Sequence, residues 1–404
     1  MRNLLNNRTS VALWAALLVG LMTVATGCKP KDGGDATPGG ETAPDADAKG
    51  GTDAAGTLKV GAVLPMSGQM ATYGEESLGG MKLAIEEINA RGEGPRIELV
   101  FKDNKGESTE TAKLVTQLIK VDNVNAILGS VASSNTLKGA KVAQENGIPL
   151  ITPASTNVEI TRKGEFVSRI CFIDPFQGKV LAKLVTEDLG KKKVAIIVDK
   201  ASDYSVGLAD AFKTTLAAAG GEVVAEETFT AGEADFSALI TKVTDAKPEA
   251  IFVPAYYGDV GPMLKQAGER WKDIPVVAGD GIDSPDLYKL MGPYQGPIYM
   301  STHFASDDSD PKVKEFVAKY NGKYGKVPGA MAALGYDSVY ALHDAAKRAG
   351  SSEPNKLKDA INSIKGLAGI TGTITLDADR NAQKDAVIMA VSPEGAKFYK
   401  RIGN

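Results

Sequence analysis

The sequence predicts an α/β protein with two lobes, each a doubly wound, mostly parallel sheet with helices on both faces. Short apolar segments typical of strands alternate with segments of helical spacing over residues 57–153. The same alternation resumes over residues 193–303. Such alternation is typical of a parallel sheet that is covered on both faces. The roughly 348 residues from Thr57 onward are too many for one compact core, which favours two lobes.

The elements of both runs follow from the spacing of their apolar residues. Leu58–Leu64 is an apolar strand, and Gly74 to Arg91 has apolar residues at helical spacing. The other predicted strands are 96–101, 125–128, 148–151, 193–198, 222–228, 250–254 and 275–278. The other predicted helices of these runs are 109–121, 136–146, 204–219, 235–246 and 258–268.

The last hundred residues predict that the chain passes between the lobes more than once. Helices expected at 310–324, 331–349 and 355–364 would overcrowd the second lobe if all of them packed there. We therefore expect the chain to cross back near residue 304 and to cross again near residue 380, so that strands 386–391 and 397–400 complete the second lobe. The predicted domains are 57–174 plus 304–380 for the N-terminal lobe and 175–303 plus 381–404 for the C-terminal lobe. Three crossings would form a three-stranded hinge beside a cleft.

Residues 1–27 have the pattern of an export signal. A charged start precedes an apolar stretch that begins at Val11. The small residues Ala25 and Gly27 lie directly before Cys28, and this pattern resembles the bacterial lipobox. The resemblance implies cleavage before Cys28 and attachment of lipid, with palmitate among the acyl groups. The alternative is a transmembrane anchor, although the apolar run is just short of the roughly 18–20 residues that span a bilayer.

The segment after the signal predicts a flexible tether. Apart from Cys28 and three prolines, residues 28–56 carry no apolar side chain larger than alanine, so we expect a disordered linker. The protein is then expected to be exported and held by its lipid outside the cytoplasm. The formal net charge of −4 and the absence of a basic run argue against a nucleic-acid partner.

Few cysteine and histidine residues are available for metal binding or catalysis. Cys171 has no partner once Cys28 is acylated, so we expect a buried, inert thiol and no disulfide. The two histidines, His303 and His343, lie far apart in sequence and are expected to be surface or packing residues. No nucleophile elbow, Walker loop or dinucleotide-binding glycine motif is present. We therefore expect no catalytic residues, no metal and no cofactor.

The loops after the predicted strands carry the candidate binding residues. The first-lobe loops are rich in hydroxyl groups, including Ser133 and Thr156, and they face helix N-termini that suit a small carboxylate. The second-lobe loops carry Tyr204, Tyr256 and Asp280, which could form apolar walls and an ammonium site. Together they describe an α-amino-acid site. Simpler roles remain open for each residue: helix capping for the serine, packing for the tyrosines and a turn for the acid.

Several segments resemble the leucine/isoleucine/valine-binding proteins, a group of type I periplasmic binding proteins that serve ABC transporters. They are residues 60–92, 129–136 (GSVASSNT), 151–164 (ITPASTNVEITRKG), 230–243 (TAGEADFSALITKV) and 253–267 (VPAYYGDVGPMLKQA). The resemblance implies two Rossmann-like lobes, three crossovers and a cleft that closes on its ligand. It implies a ligand-binding set of Ser133, Ala154, Ser155 and Thr156 for the first lobe, Asp280 for the ammonium group, and Tyr73, Tyr204, Tyr256 and Met331 for the side-chain pocket.

The resemblance also implies a function without a catalytic step. The expected protein is a monomeric substrate-binding lipoprotein that captures an amino acid, branched-chain or otherwise apolar, and delivers it to the permease and ATPase subunits of an ABC importer. Short amides, urea and aromatic acids are alternative ligands within the same family. A ligand-sensing module without a transporter is an alternative role, and a hydrolase on the same scaffold is a third.

Overall fold

The structure is a computed structural model that describes residues 56–403. The predicted signal peptide, the predicted lipidation site Cys28 and nearly all of the predicted linker lie outside the described residues. Among the described helices, none combines the length and the apolar character that crossing a membrane requires.

The bounds of the regular elements are as follows. Within residues 56–403 the strands are β1 Leu58–Leu64, β2 Ile97–Asp103, β3 Ala126–Gly129, β4 Leu150–Thr152, β5 Val167–Arg169, β6 Lys193–Asp199, β7 Glu222–Phe229, β8 Ala250–Val253, β9 Val276–Ala278, β10 Ile298–Thr302, β11 Leu367–Gly369, β12 Gly372–Ile374, β13 Ala386–Ser392 and β14 Gly395–Ile402. The α-helices are α1 Ala71–Arg91, α2 Ser108–Lys120, α3 Ser133–Glu145, α4 Asp174–Lys183, α5 Asp203–Ala218, α6 Ser237–Asp245, α7 Tyr257–Ala267, α8 Asp286–Met291, α9 Pro311–Tyr324, α10 Ala330–Ala349 and α11 Pro354–Asn362.

The first lobe is built on a five-stranded sheet in the order β2-β1-β3-β4-β5. All of its strand pairs are parallel. The order of the strands reverses between β1 and β3, and ligands of such sheets bind outside the carboxyl ends of the strands at this reversal. The loops that follow β1, β3 and β4 are therefore brought to one edge of the lobe.

The second lobe is built on a seven-stranded sheet in the order β14-β13-β10-β9-β8-β6-β7. Strands β6 to β10 pair in parallel, whereas β13 pairs antiparallel with both β10 and β14. The strand order reverses between β6 and β8. The loops after β6, β8 and β9 therefore meet at the carboxyl edge of this second sheet.

The chain passes between the two sheets three times. The connecting segments are 170–173 after β5, 303–310 after β10 and 375–385 after β12. After the second passage α10 packs against α1 of the first lobe, and after the third the chain adds β13 and β14 to the second sheet. The architecture is thus two α/β lobes joined by three connections, as the alternation of elements predicts. The residue boundaries of the lobes stay predictions.

The sequence analysis missed α8, β11 and β12, and it also missed β5, α4 and β10, which adjoin a connection. β5 has three residues, and its Arg169 looks polar in the sequence although the side chain is fully buried. α4 contains Pro175 and Gly178, which read as turn signals. Gly178 instead allows close packing on α5, because a Cβ atom there would lie 2.7 Å from the backbone nitrogen of Phe212.

The close packing of α1 on α10 in the first lobe can be tested by a substitution at Gly80. A Cβ atom at Gly80 would lie 1.9 Å from the carbonyl oxygen of Ala332. Overpacking of this kind costs about 1–3 kcal/mol, so Gly80→Ala is expected to lower the free energy of unfolding by that amount in urea titrations.

The matched control is Gly322→Ala in α9, where a Cβ atom would meet nothing within 4 Å. This substitution is expected to leave stability unchanged or to raise it by up to about 1 kcal/mol, since glycine weakens a helix interior. Equal stability of the two variants would contradict the close approach of α1 and α10.

Candidate functional site

A cavity lies between the lobes where the carboxyl edges of the two sheets face each other. The space between its walls that is not filled by protein atoms is about 230 Å³, including the part that is open to solvent. Its lining residues follow strands of both sheets or begin α1, α3 and α10: Tyr73, Val131, Ser133, Ala154, Thr156, Tyr204, Tyr256, Asp280, Gly281 and Met331. The predicted first-lobe and second-lobe residues therefore face a common space.

The first-lobe wall contains the N-terminus of α3. Ser133 is the first residue of this helix and is 1% exposed. The residue at the cap position is Ala132, and no side chain makes a capping hydrogen bond. The N–H groups of a first helical turn have no acceptor within their own helix. That of Ser133 is hydrogen-bonded to the Tyr256 hydroxyl, and those of the next residues are available to an anion in the cavity. The alternative in which Ser133 or Ser134 caps the helix is not realised in this structure.

Thr156 and Ser155 are adjacent but point to different surroundings. Thr156 lines the cavity, and its buried hydroxyl interacts with the carboxyl group of Asp174. The Ser155 hydroxyl instead lies 2.7 Å from Thr136 Oγ1 and donates to the carbonyl oxygen of Val131 at 2.9 Å. The side chain of Ser155 thus supports the loop, Ser155 is absent from the residues that line the cavity, and its place in the ligand-binding set stays a prediction.

A buried arginine fixes the loop that carries Thr156. The two guanidinium nitrogens Nη1 and Nη2 of Arg169 donate to the carbonyl oxygens of Ser155 at 2.7 Å and Asn157 at 2.8 Å. These bonds hold the residues on either side of Thr156. The Thr156 hydroxyl is therefore presented to the cavity by a constrained backbone.

Asp280 is the acidic residue of the opposite wall. It is 4% exposed and begins a short 3₁₀ turn after β9. Its Oδ1 accepts hydrogen bonds from Gln177 Nε2 at 2.7 Å and from the Tyr204 hydroxyl at 2.9 Å, and its Oδ2 lies 3.2 Å from His303 Nε2. The carboxylate is thus held in place from three directions.

Gln177 and His303 are site residues that the sequence analysis missed. Gln177 lies on α4 and His303 directly follows β10, two elements that the sequence pattern did not reveal. His303 is 2% exposed, and its ring stacks on Phe172 with a centroid distance of 3.8 Å. The expectation of a surface residue is wrong for His303, and the alternative of a packing residue is confirmed. The ring also contacts Asp280, the acidic residue of the site. Burial lowers its pKa, so the imidazole is neutral at pH 7.

Direct hydrogen bonds join the lobes around the cavity. The Tyr73 hydroxyl donates to the carbonyl oxygen of Gly281 at 2.5 Å. Asn157 Nδ2 donates to the carbonyl oxygen of Asp203 at 2.7 Å, and the Asp203 backbone N–H donates to Ser134 Oγ at 3.0 Å. The lobes therefore touch on more than one side of the cavity, as in a closed cleft.

Aromatic rings form much of the remaining wall. Tyr204 and Tyr256 stack with a centroid distance of 5.1 Å, and Tyr73 meets Tyr256 edge to face at 6.3 Å. Met331, the second residue of α10, is 3% exposed and completes the wall from the first lobe. The cavity thus combines a polar end on each lobe with an apolar interior, which suits a small ligand that is charged and partly apolar.

The predictions for metal and thiol chemistry can be compared with the same region. Within residues 56–403, His, Cys, Asp and Glu side chains do not gather in groups of three or more that could hold a metal ion. Cys171 is buried, and burial raises the pKa of its thiol to about 12. The prediction that this thiol is buried is confirmed, and a raised pKa favours the expected low reactivity.

The comparisons with known proteins agree with this geometry. The sequence profile of the periplasmic binding protein family matches residues 57–396. The chain belongs to the periplasmic binding protein family. This periplasmic binding protein is 32% identical over 311 residues to an amino acid binding protein of Pseudomonas aeruginosa, with 75% of this chain and 82% of the relative covered.

Two solved structures share the fold of this periplasmic binding protein. The leucine binding protein LivK of Thermotoga maritima is 36% identical with a TM-score of 0.82, and the comparison covers 86% of this chain and 99% of LivK. The branched-chain amino acid transporter substrate binding protein LivJ of Streptococcus pneumoniae, in complex with isoleucine, is 36% identical with a TM-score of 0.80 and the same coverage. The type I, two-lobed fold expected from the resemblance is confirmed.

A buried acid next to the site generates a pH-dependent prediction. Burial is the main cause that raises the pKa of Asp174 from 3.8 to about 8. The folded protein therefore keeps a proton between about pH 4 and pH 8 that the unfolded chain has lost, so this residue's contribution to stability falls as pH rises through that window. Asp174→Asn stays neutral, and its stability relative to wild type is expected to rise by at least about 1 kcal/mol from pH 5 to pH 8.

Urea unfolding at these two pH values measures the difference. Asp245→Asn, at an exposed position of α6, is the control and should follow the wild-type pH dependence. If Asp174→Asn also runs parallel to wild type, the carboxyl group does not hold a proton in the folded protein.

Proposed function

We propose that this periplasmic binding protein captures an α-amino acid between its lobes and delivers it to an ABC importer. The observation that carries the proposal is that Ser133 and Asp280, on opposite lobes, line one cavity. The wall that contains Ser133 offers hydrogen-bond donors to an anion, and Asp280 offers a negative charge to a cation. A zwitterion satisfies both walls at once, which neither a simple acid nor a simple amine can do.

The carboxylate end of the ligand is assigned to the first lobe. The N-terminus of α3 presents backbone N–H groups and the positive end of the helix dipole. The hydroxyl groups of Ser133 and Thr156 lie in the same wall. A ligand carboxylate that accepts hydrogen bonds from these buried hydroxyl groups gains affinity.

The ammonium end is assigned to Asp280. Charge-assisted hydrogen bonds to a carboxylate are roughly twice as strong as neutral ones. A ligand without an ammonium group, such as an aromatic acid, would leave this buried carboxylate facing the cavity without a cation. The same holds for urea and short amides, which carry no full positive charge. The retained acid therefore favours an amino acid over these alternative ligands.

The side chain of the ligand is assigned to the apolar interior. Tyr73, Tyr204, Tyr256 and Met331 supply rings and a flexible thioether, and Ala154 leaves space between them. Apolar walls of this kind favour a branched-chain or another apolar amino acid. The isoleucine bound to the pneumococcal relative supports this class of ligand.

The wider assignment follows from the family and the sequence. The lobes 57–174 plus 304–380 and 175–303 plus 381–404 would close on the ligand, and the permease and ATPase subunits would receive the closed, monomeric protein. The lipid on Cys28 and the linker 28–56 would keep it at the membrane outside the cytoplasm. This role includes no catalytic step. A sensing role would use the same closure without a transporter.

Binding of L-leucine or L-isoleucine by isothermal titration tests the proposal, after a thermal-shift screen of the amino acids, short amides and urea. Asp280→Ala removes the partner of the ammonium group and is expected to weaken amino-acid binding at least tenfold, about 1.4 kcal/mol. Asp245→Ala, at the exposed α6 position, is the control and should bind like wild type. Equal affinities of Asp280→Ala and wild type would remove Asp280 from the site.

A further inference from the structure

The hydrogen bonds of Asp280 limit how a ligand can approach it. The Tyr204 hydroxyl accepts a hydrogen bond from the backbone N–H of Gly281 at 3.0 Å, so its own proton is free to be donated to Asp280 Oδ1. Gln177 Nε2 donates to the same oxygen at 2.7 Å. A carboxylate oxygen has two lone pairs, and both of those on Oδ1 are therefore occupied.

The other oxygen, Oδ2, has one neighbour in the structure. His303 Nε2 lies 3.2 Å from it, and an ionised carboxylate can only accept, so the imidazole proton belongs on Nε2. His303 Nδ1 has no hydrogen-bond partner among the described residues, which agrees with a nitrogen that carries no proton. One lone pair of Oδ2 is left.

The ring of His303 is fixed by the connections between the lobes. His303 is the first residue of the connection 303–310, and Phe172, on which it stacks, belongs to the connection 170–173. The ring planes are 26° apart at a centroid distance of 3.8 Å. The donor to Oδ2 therefore lies on one connection, directly after β10 of the sheet that carries Asp280, and its ring packs against a second connection.

We infer that His303 is a positioning residue for the ligand-binding acid: it donates from Nε2 to Asp280 Oδ2 and, with Gln177 and Tyr204, leaves one acceptor position, on Oδ2, for the ammonium group of the ligand. The part of this inference that concerns the ligand rests on the proposed function. The part that concerns the tautomer of His303 and its hydrogen bond to Asp280 does not. It assigns the recognition of the ammonium group to a carboxylate whose direction is set at the hinge.

The state of His303 can be measured without any ligand. The chain contains two histidines, so ¹⁵N labelling of histidine gives two ring systems, and His343→Gln assigns them. For His303 at neutral pH we expect the neutral tautomer with the proton on Nε2, and Asp280→Asn should shift the Nε2 resonance while leaving His343 unchanged. A proton on Nδ1, a charged ring or an Nε2 resonance that ignores Asp280→Asn would overturn the inference.

The effect on binding is measured by a double-mutant cycle with L-leucine in isothermal titrations. His303→Phe keeps an aromatic ring against Phe172 and removes the donor. In the wild-type background it is expected to weaken binding by at least about fivefold, and in the Asp280→Asn background by less than about twofold. His303→Gln, which retains an amide donor, should recover affinity to within about twofold of wild type.

Two outcomes separate a positioning role from a structural one. Equal losses for His303→Phe in both backgrounds, or no recovery by His303→Gln, would mean that the ring only packs, and would overturn the inference. His343→Phe is the control for loss of a buried histidine elsewhere and should bind like wild type. If the wild-type protein binds neither L-leucine nor any other amino acid, the proposed function fails, and the ¹⁵N measurement still decides the role of His303.

Discussion

The hydrogen-bonded chain from Tyr73 to Asp280 is the interaction on which the site depends. The Tyr73 hydroxyl of the first lobe donates to the Gly281 carbonyl oxygen, the Gly281 N–H donates to the Tyr204 hydroxyl, and that hydroxyl donates to Asp280. All four residues line the cavity. The two bonds that share the Tyr204 hydroxyl polarise one another, and the rigid backbone of Gly281 links them to the bond from Tyr73. The chain therefore fixes the acid and, at the same time, attaches its loop to the opposite lobe.

This constraint explains why recognition and closure belong together. The interlobe bonds of Tyr73 and Asn157 exist only when the lobes touch, and the two polar ends of the cavity face each other only in that arrangement. A ligand that contacts both ends binds the closed form better than the open form and shifts the population toward it. A ligand that contacts only one end binds the open and the closed forms with more similar affinities. Selectivity for a zwitterion is thus a consequence of the two-lobed geometry.

Much of the fold and part of the site could be predicted from the sequence. Periodicity identified the strands whose ends carry Ser133 and Asp280, and parallel sheets bring such ends together. Gln177 could not be found in this way, because Pro175 and Gly178 interrupt the pattern of its helix. Ser155 is a different case: neighbouring residues of a loop point in different directions, and only coordinates show that its hydroxyl faces Thr136.

The most direct measurement compares L-leucine with two ligands that each lack one charged group. Isothermal titration would be run with L-leucine, with 4-methylpentanoate, which has no amine, and with 3-methylbutylamine, which has no carboxylate. Because each truncated ligand engages one wall only, both are expected to bind at least about 100-fold more weakly, a loss of about 2.7 kcal/mol. If either of them binds within about threefold of L-leucine, the clamping of a zwitterion between the lobes is contradicted.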